Sequence, residues 1–255
     1  MDDLASWKAA RRAALTAEDG WLNLTDRVEI GQGPQKVGPQ KVGRAADNDL
    51  VLSCGPDHLG VLTLTEAGAS FATADGAAQA FQPAPGGFPQ LRVPPLLLEL
   101  HTVDGTPALR VRDLTAPRAA ELRYFPEDPA WVIRARWERL ATPEATMIGQ
   151  RGGADTQVTL THVARFSHGG HDIALVPTHW KGGQPMFVIR DATSGRQTYG
   201  ASRFLMGEDM TEDAITLDFN RAFTPPCGFT PHAICPLPPR QNILPFAVEA
   251  GELAP

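Results

Sequence analysis

The residues best equipped for chemistry gather near the end of the chain. Asp218 and Asn220 stand two apart in LDFNRAF, so a strand projects both on one side and Arg221 on the other, unless the chain bends there. Tyr199, Arg203, Asn242, Glu249 and Glu252 add groups that hold polar molecules. A guanidinium offers a planar fork to a carboxylate or phosphate, and carboxylates supply acid–base chemistry. Together these eight residues are read as a pocket for a small polar or anionic ligand. Hydrolysis by carboxylate acid–base catalysis is the simplest reaction for it, although no nucleophile is identified and whether the chain is an enzyme stays open. The competing reading is a non-catalytic structural or interaction protein in which the same charges lock an irregular coil, since a buried guanidinium needs a carboxylate.

Two further groups have reactive side chains. Cys227 and Cys235 flank a Pro- and Phe-containing loop, where His232 and Arg221 would supply the base and the positive surroundings that a nucleophilic thiolate needs. Inert burial and a bridge between the two remain the alternatives. His162, His168, His171 and His179 fall in one stretch, and a hairpin turning at Gly169–Gly170 would bring His162 toward His171, with Asp172 and Asp191 at hand. Imidazoles on adjoining strands can assemble zinc or iron, which makes a metal-dependent enzyme on His162, His171 and His179 the third reading. The stretch has no HExxH and no HxH pair, so a core histidine is the plainer account of His162. GxSxG, GxGxxG and the P-loop string do not occur, and no motif indicates a cofactor.

The segment Leu217–Glu252, LDFNRAFTPPCGFTPHAICPLPPRQNILPFAVEAGE, resembles the terminal signature of a bacterial family, domain-of-unknown-function family 1684. The resemblance rests on Asp218 to Ala222, on Pro226 and Cys227, on Cys235, Pro236, Pro238, Pro239 and Asn242, and on Ala250, Gly251 and Glu252. Upstream it takes in Thr198, Tyr199 and Arg203, then Arg110, Arg112 and Asp113, and in outline it reaches back to Trp21–Leu22. Ser202 and Thr224 stand where the family usually has Gly and often has Asn. The resemblance implies no reaction; it marks where to look.

The elements that must position these residues are short. Residues 3 to 17 repeat apolar side chains near a 3.6 period at Leu4, Trp7, Ala10, Ala14 and Leu15, which predicts a helix whose Lys8, Arg11 and Arg12 face solvent. Strand-like runs follow from Trp21 to Ile30, at Leu50–Leu52, Val61–Leu64, Ala69–Ala72, Ala108–Arg112, Ala119–Phe125, Val132–Arg139, Val158–Phe166, His171–Val176, Met186–Ile189 and Ile215–Phe219. The repeated GPQKV at Gly33–Val37 and Gly38–Val42 reads as a duplicated surface loop. Beyond Phe219 the prolines forbid regular helix or central strand.

Composition agrees. The 255 residues include 24 glycines and 23 prolines, well above the ordinary combined share of about 12%. The expected fold is all-β or β-dominated: residues 1–20 as an N-terminal helix, then one β-rich domain over 21–255, a sandwich or barrel with the Pro-rich C-terminal coil wrapping one end. A net charge of −6 without a basic stripe argues against nucleic-acid binding. No apolar run is long enough for a membrane span, and the acidic start is unlike a signal peptide, so a cytoplasmic protein is expected, with exposed sheet edges that suit a homodimer.

Overall fold

The computed structural model describes residues 3–31, 38–65, 68–84, 87–103 and 105–255. The described residues form one N-terminal helix, α1 (Leu4–Thr16), and otherwise strands and short 3-10 turns. The helix starts where the Asp3 carboxylate accepts the Ser6 N–H at 2.7 Å, satisfying a first-turn donor. It ends ahead of Gly20, where an added Cβ would lie 2.5 Å from the Leu15 carbonyl oxygen.

The chain divides into two compact units, Ala14–Ala119 and Met1–Ala13 with Ala120–Pro255. The smaller unit, Ala14–Ala119, contains β1 (Leu24–Glu29), β2 (Gly38–Gly43), β3 (Leu50–Val51), β4 (Gly60–Thr65), β5 (Gly68–Thr73), β6 (Gln79–Ala80), β7 (Gln90–Val93), β8 (Leu96–Val103) and β9 (Thr106–Asp113). They form a four-stranded sheet, β1-β9-β8-β7, and a five-stranded one, β3-β2-β4-β5-β6. Leu98, Leu109 and Val111 from the first share one apolar core with Val42, Leu62 and Phe71 from the second. The second GPQKV copy lies in β2 with Val42 fully buried, so it is a core-facing strand rather than the expected loop. The first copy falls outside the described residues.

The larger unit holds β10 (Val132–Ile148), β11 (Gln150–Arg151), β12 (Thr156–His168), β13 (His171–Leu175), β14 (His179–Lys181), β15 (Gln184–Ile189), β16 (Arg203–Glu208), β17 (Ala214–Asp218) and β18 (Cys235–Pro236). Seven form an open antiparallel sheet, β13-β12-β10-β17-β16-β15-β14, and β11 pairs with β18. The seven-stranded sheet curls. Trp180, on edge strand β14, has its ring 5.7 Å from that of His162 on β12, five places away in strand order, and 6.3 Å from Trp137 on β10. Its core collects Ala135, Trp137, Leu175, Phe187, Leu205 and Leu217 together with Leu244, Val248 and Ala250 from the irregular C-terminal segment.

Ala119–Phe125 is not a strand. Tyr124 makes one isolated bridge to Glu252, and Pro126 and Pro129 stop any longer ladder. The prolines beyond Asp218 act as expected, leaving 3-10 turns at Phe219–Arg221, Pro226–Gly228 and Arg240–Asn242.

Candidate functional site

Asp191 follows β15 and Arg203 opens β16, and the tight turn between them sets the two face to face. The Asp191 Oδ1 accepts the Thr193 N–H at 2.8 Å and the Thr193 hydroxyl at 2.6 Å, folding the turn back on itself. Its Oδ2 lies 2.8 Å from Arg203 Nη2, and both side chains are fully buried. Arg203 also donates from Nη2 to the Val248 carbonyl at 3.0 Å and from Nη1 to the Ala250 carbonyl, while the Val248 N–H returns to Asp191 Oδ1 at 3.2 Å. Arg203 Nε has no partner and is itself buried from solvent. Burial pushes the guanidinium below its ordinary pKa and Asp191 works against the shift, yet arginine keeps its proton in either case.

Two more knots hold the same segment. Glu252, 1% exposed, receives Arg11 Nε at 2.8 Å and the Thr224 N–H at 2.9 Å, and Arg11 Nη2 reaches the Thr224 carbonyl at 2.8 Å. Arg11 therefore does not face solvent as the helical pattern predicted; it turns toward the chain's end. Burial first, then Glu252, pushes the nearby Tyr124 phenol up, so it stays a donor, 3.4 Å from Glu252. Asn242, with no exposed surface, accepts the Val176 N–H at 2.9 Å and donates to the carbonyls of Val176 and Val188 at 2.8 and 3.0 Å. Replacing Asn242 by Ala would strand three buried backbone groups, and chemical unfolding is expected to show a loss of about 2–3 kcal/mol.

The chain does bend after Asp218, and the bend decides the geometry there. Asp218 Oδ1 caps the Phe219–Arg221 turn by accepting the Asn220 N–H and side-chain amide, each at 3.0 Å. Arg221 is thereby brought to the same side, its Nε 3.2 Å from Asp218 Oδ2 and its Nη1 3.1 Å from Glu208. Asn220 holds both backbone groups of Asp128, at 3.1 and 3.0 Å. Tyr199 donates to the Cys227 carbonyl at 2.8 Å, and Glu249 is exposed. The eight residues expected to line one pocket thus take up separate places. Seven of them bind protein groups, and none lines the groove at Arg136 to Ala174 or the one at Glu18 to Leu97.

The histidines do not converge either, and the hairpin register is the reason. The Gly169–Gly170 turn pairs His168 with His171 and Ala164 with Leu175, which leaves His162 beyond the end of β13. His162 stacks on Trp137 at 4.8 Å, and its pKa is lowered, chiefly by burial. His171 packs against Phe246, and His179 contacts the Thr178 hydroxyl at 3.0 Å, its pKa also lowered by burial. Among the described residues no group of three or more His, Cys, Asp or Glu is placed to hold a metal. Nor does Cys227 find His232 and Arg221; its neighbours are Tyr199 and Cys235.

The smaller unit contains a charged cluster that the sequence reading did not assemble. Glu99, Arg110 and Arg112 are 4, 5 and 2% exposed, with Glu99 bridging Arg110 at 3.0 Å and Arg112 at 3.3 Å. Gln90 donates to Glu99, and Arg112 Nε donates to the Gly20 carbonyl at 2.9 Å. Arg110 lies over the Trp21 ring at 5.0 Å. The available signal was a lone glutamate inside the apolar run LLLEL.

This two-unit, β-dominated chain matches a family profile described as protein of unknown function (DUF1684) over residues 119–253. The chain belongs to that family. The matched region contains the terminal signature and stops short of Trp21, Arg110 and Arg112. The chain is also similar to a solution structure of an uncharacterized protein from Haloarcula marismortui, with 30% identity over 52% of this chain and 75% of that one, at a TM-score of 0.43. The family description itself carries no restriction to bacteria. A comparison with curated proteins finds no match.

Proposed function

We propose that this chain is a non-catalytic binding or interaction protein whose family signature is a clamp, holding the C-terminal segment across one end of the curled sheet. The observation that carries this reading is the fully buried Asp191–Arg203 pair, whose groups bind Val248 and Ala250. A hydrolase built on the signature carboxylates has less support, because Asp218 and Glu252 are held by peptide groups and guanidiniums. Composition supports a cytoplasmic location without nucleic-acid or membrane partners, and among the described residues no helix is long and apolar enough to cross a membrane. The test compares unfolding with ligand response. Asp191→Asn is expected to lower the Tm, while titrated phosphate or citrate leaves the Tm of the wild-type chain and of Arg203→Met unmoved by any contact at Arg203. A ligand-induced rise in Tm that Arg203→Met abolishes would refute the clamp.

The anionic-ligand reading draws support from a different place. A groove of about 400 Å³ is lined by Arg136, Arg165, Phe166, Ser167, Asp172, Ile173 and Ala174. Arg136 and Arg165 sit directly opposite each other on the β10–β12 ladder, an arrangement of like charges that is unfavourable by itself. Glu138 pairs with both, at 2.5 and 2.8 Å, and Asp172, which accepts the Ser167 hydroxyl at 2.6 Å, balances the second charge, so an incoming anion would take the guanidiniums from Glu138 beside an apolar floor. A small carboxylate or phosphate with an apolar body suits that surface. Changing both Arg136 and Arg165 to Ala is expected to weaken citrate or phosphate binding at least about tenfold in calorimetry, with stability within about 0.5 kcal/mol of wild type because both side chains are exposed.

A further inference from the structure

Cys227 and Cys235 stand at the two ends of a loop that folds back on itself, and neither is in a disulfide. The Cys227 N–H donates to Cys235 Sγ at 3.3 Å, which sets the two cysteines side by side. The Tyr199 hydroxyl lies 2.8 Å from the Cys227 carbonyl oxygen and 3.6 Å from its Sγ. Arg151, the ladder partner of Cys235, places its guanidinium 5.9 Å from the centre of the Tyr199 ring. Cys227 Sγ is thus approached by one hydroxyl, that of Tyr199, with the Arg151 cation beyond the ring, surroundings that favour a thiolate, and Cys235 Sγ lies against the Cys227 backbone.

We propose that Cys227 and Cys235 are a hydroperoxide-reactive dithiol, with Cys227 the attacking sulfur and Cys235 the resolving one. Cys227 sulfur attacks the terminal oxygen of ROOH, so that an S–O bond forms and the O–O bond breaks. The thiol proton ends on the departing oxygen, giving Cys227–SOH and ROH, with sulfur oxidised by two electrons and the peroxide reduced by two. Cys235 sulfur then attacks the sulfenic sulfur. An S–S bond forms, the S–O bond breaks, and the leaving hydroxide takes the Cys235 proton as water.

Three other features agree. The Cys235 hydrogen bond, against the opposing effect of burial, leads the causes that bring the Cys227 thiol down to about 7, whereas burial pushes the Cys54 thiol up. Burial also pushes the Tyr199 phenol upward, so its hydroxyl keeps the proton it donates. At 7 and 2% exposure, Cys227 and Cys235 are shielded from bulky disulfides.

The test uses the wild-type chain with equimolar hydrogen peroxide at neutral pH, followed by alkylation and peptide mass mapping. The Cys227–Cys235 bridge should form, with the loss of two hydrogens, while Cys54, the more exposed thiol, stays reduced. Cys235→Ser should stop at a sulfenic acid on Cys227 that dimedone captures, and Tyr199→Phe should slow bridging by about tenfold, as loss of about one pKa unit of thiolate stabilisation would. Oxidation of Cys54 ahead of Cys227, failure of the bridge to form, or faster reaction of Cys227 with glutathione disulfide than with peroxide would each overturn the proposal. The competition within the wild-type chain decides the matter even if a variant folds poorly.

Discussion

Asp191→Asn is expected to destabilise the chain by about 3–5 kcal/mol, because it leaves the Arg203 guanidinium charged, buried and without its carboxylate. The substitution is selective. Asparagine keeps an Oδ1 able to accept from Thr193 and Val248, and replaces only the oxygen that faces Arg203 Nη2 at 2.8 Å. Arg203→Met in the same background should recover about half of the loss, since a buried ion pair exchanged for uncharged groups is often nearly neutral, although the Val248 and Ala250 carbonyls lose their donor. Guanidinium unfolding of the two single variants and the double variant gives the coupling between the residues, expected at about 2 kcal/mol or more. Additive losses would mean that Asp191 and Arg203 act separately.

Glu99→Gln is expected to have an effect of the same size, about 3–5 kcal/mol, because one carboxylate serves two buried guanidiniums. The pH dependence has a definite sign. Burial pushes the Glu99 carboxyl up, but Arg112 and Arg110 outweigh it and hold the group below its ordinary 4.5. Its stabilisation is therefore complete above that value and disappears as pH falls through the lower folded pKa. His101 has its pKa lowered to about 4, by burial first and then by Arg110. The unfolded chain takes up that proton near 6.5 and the folded chain only near 4, so stability falls with acidification across this window, by up to about 1.4 kcal/mol per pH unit. In a pH series of unfolding experiments His101→Gln should flatten the slope between 6.5 and 4, and Glu99→Gln should flatten it below 4.5. Unchanged slopes would contradict the buried cluster.

The β-dominated fold was legible because period-two alternation in Val132–Arg139 and a Gly-Gly hairpin at His168–His171 are local signals. The prolines after Asp218 announced an irregular end just as directly. What the sequence concealed was pairing at a distance. Arg11 looked like a solvated helix residue because its partner, Glu252, lies at the far end of the chain, and Asp191 looked like a carboxylate for the histidines because Arg203 becomes its partner only after β15 and β16 pair. Asp218, Asn220 and Arg221 read as a polar constellation on a strand, but a strand and a 3-10 turn place these three side chains differently, and the Asp218 cap selects the turn. The histidine alignment failed by register alone: a two-residue turn sets His168, not His162, against His171.

The central claim is that the signature residues hold the C-terminal segment in place, and amide hydrogen exchange on the unmodified chain tests it most directly. The donors to watch are Val248 N–H, bound to Asp191, Thr224 N–H, bound to Glu252, and the N–H groups of Glu252, Leu253 and Ala254, bound to Ala222, Arg123 and Gln197. A clamp predicts that Thr224, Val248 and Glu252 exchange with the slow core amides of β16 and β17, opening only with the whole fold. Exchange of these three within about tenfold of the rate for an unstructured peptide, while the sheet stays protected, would contradict it.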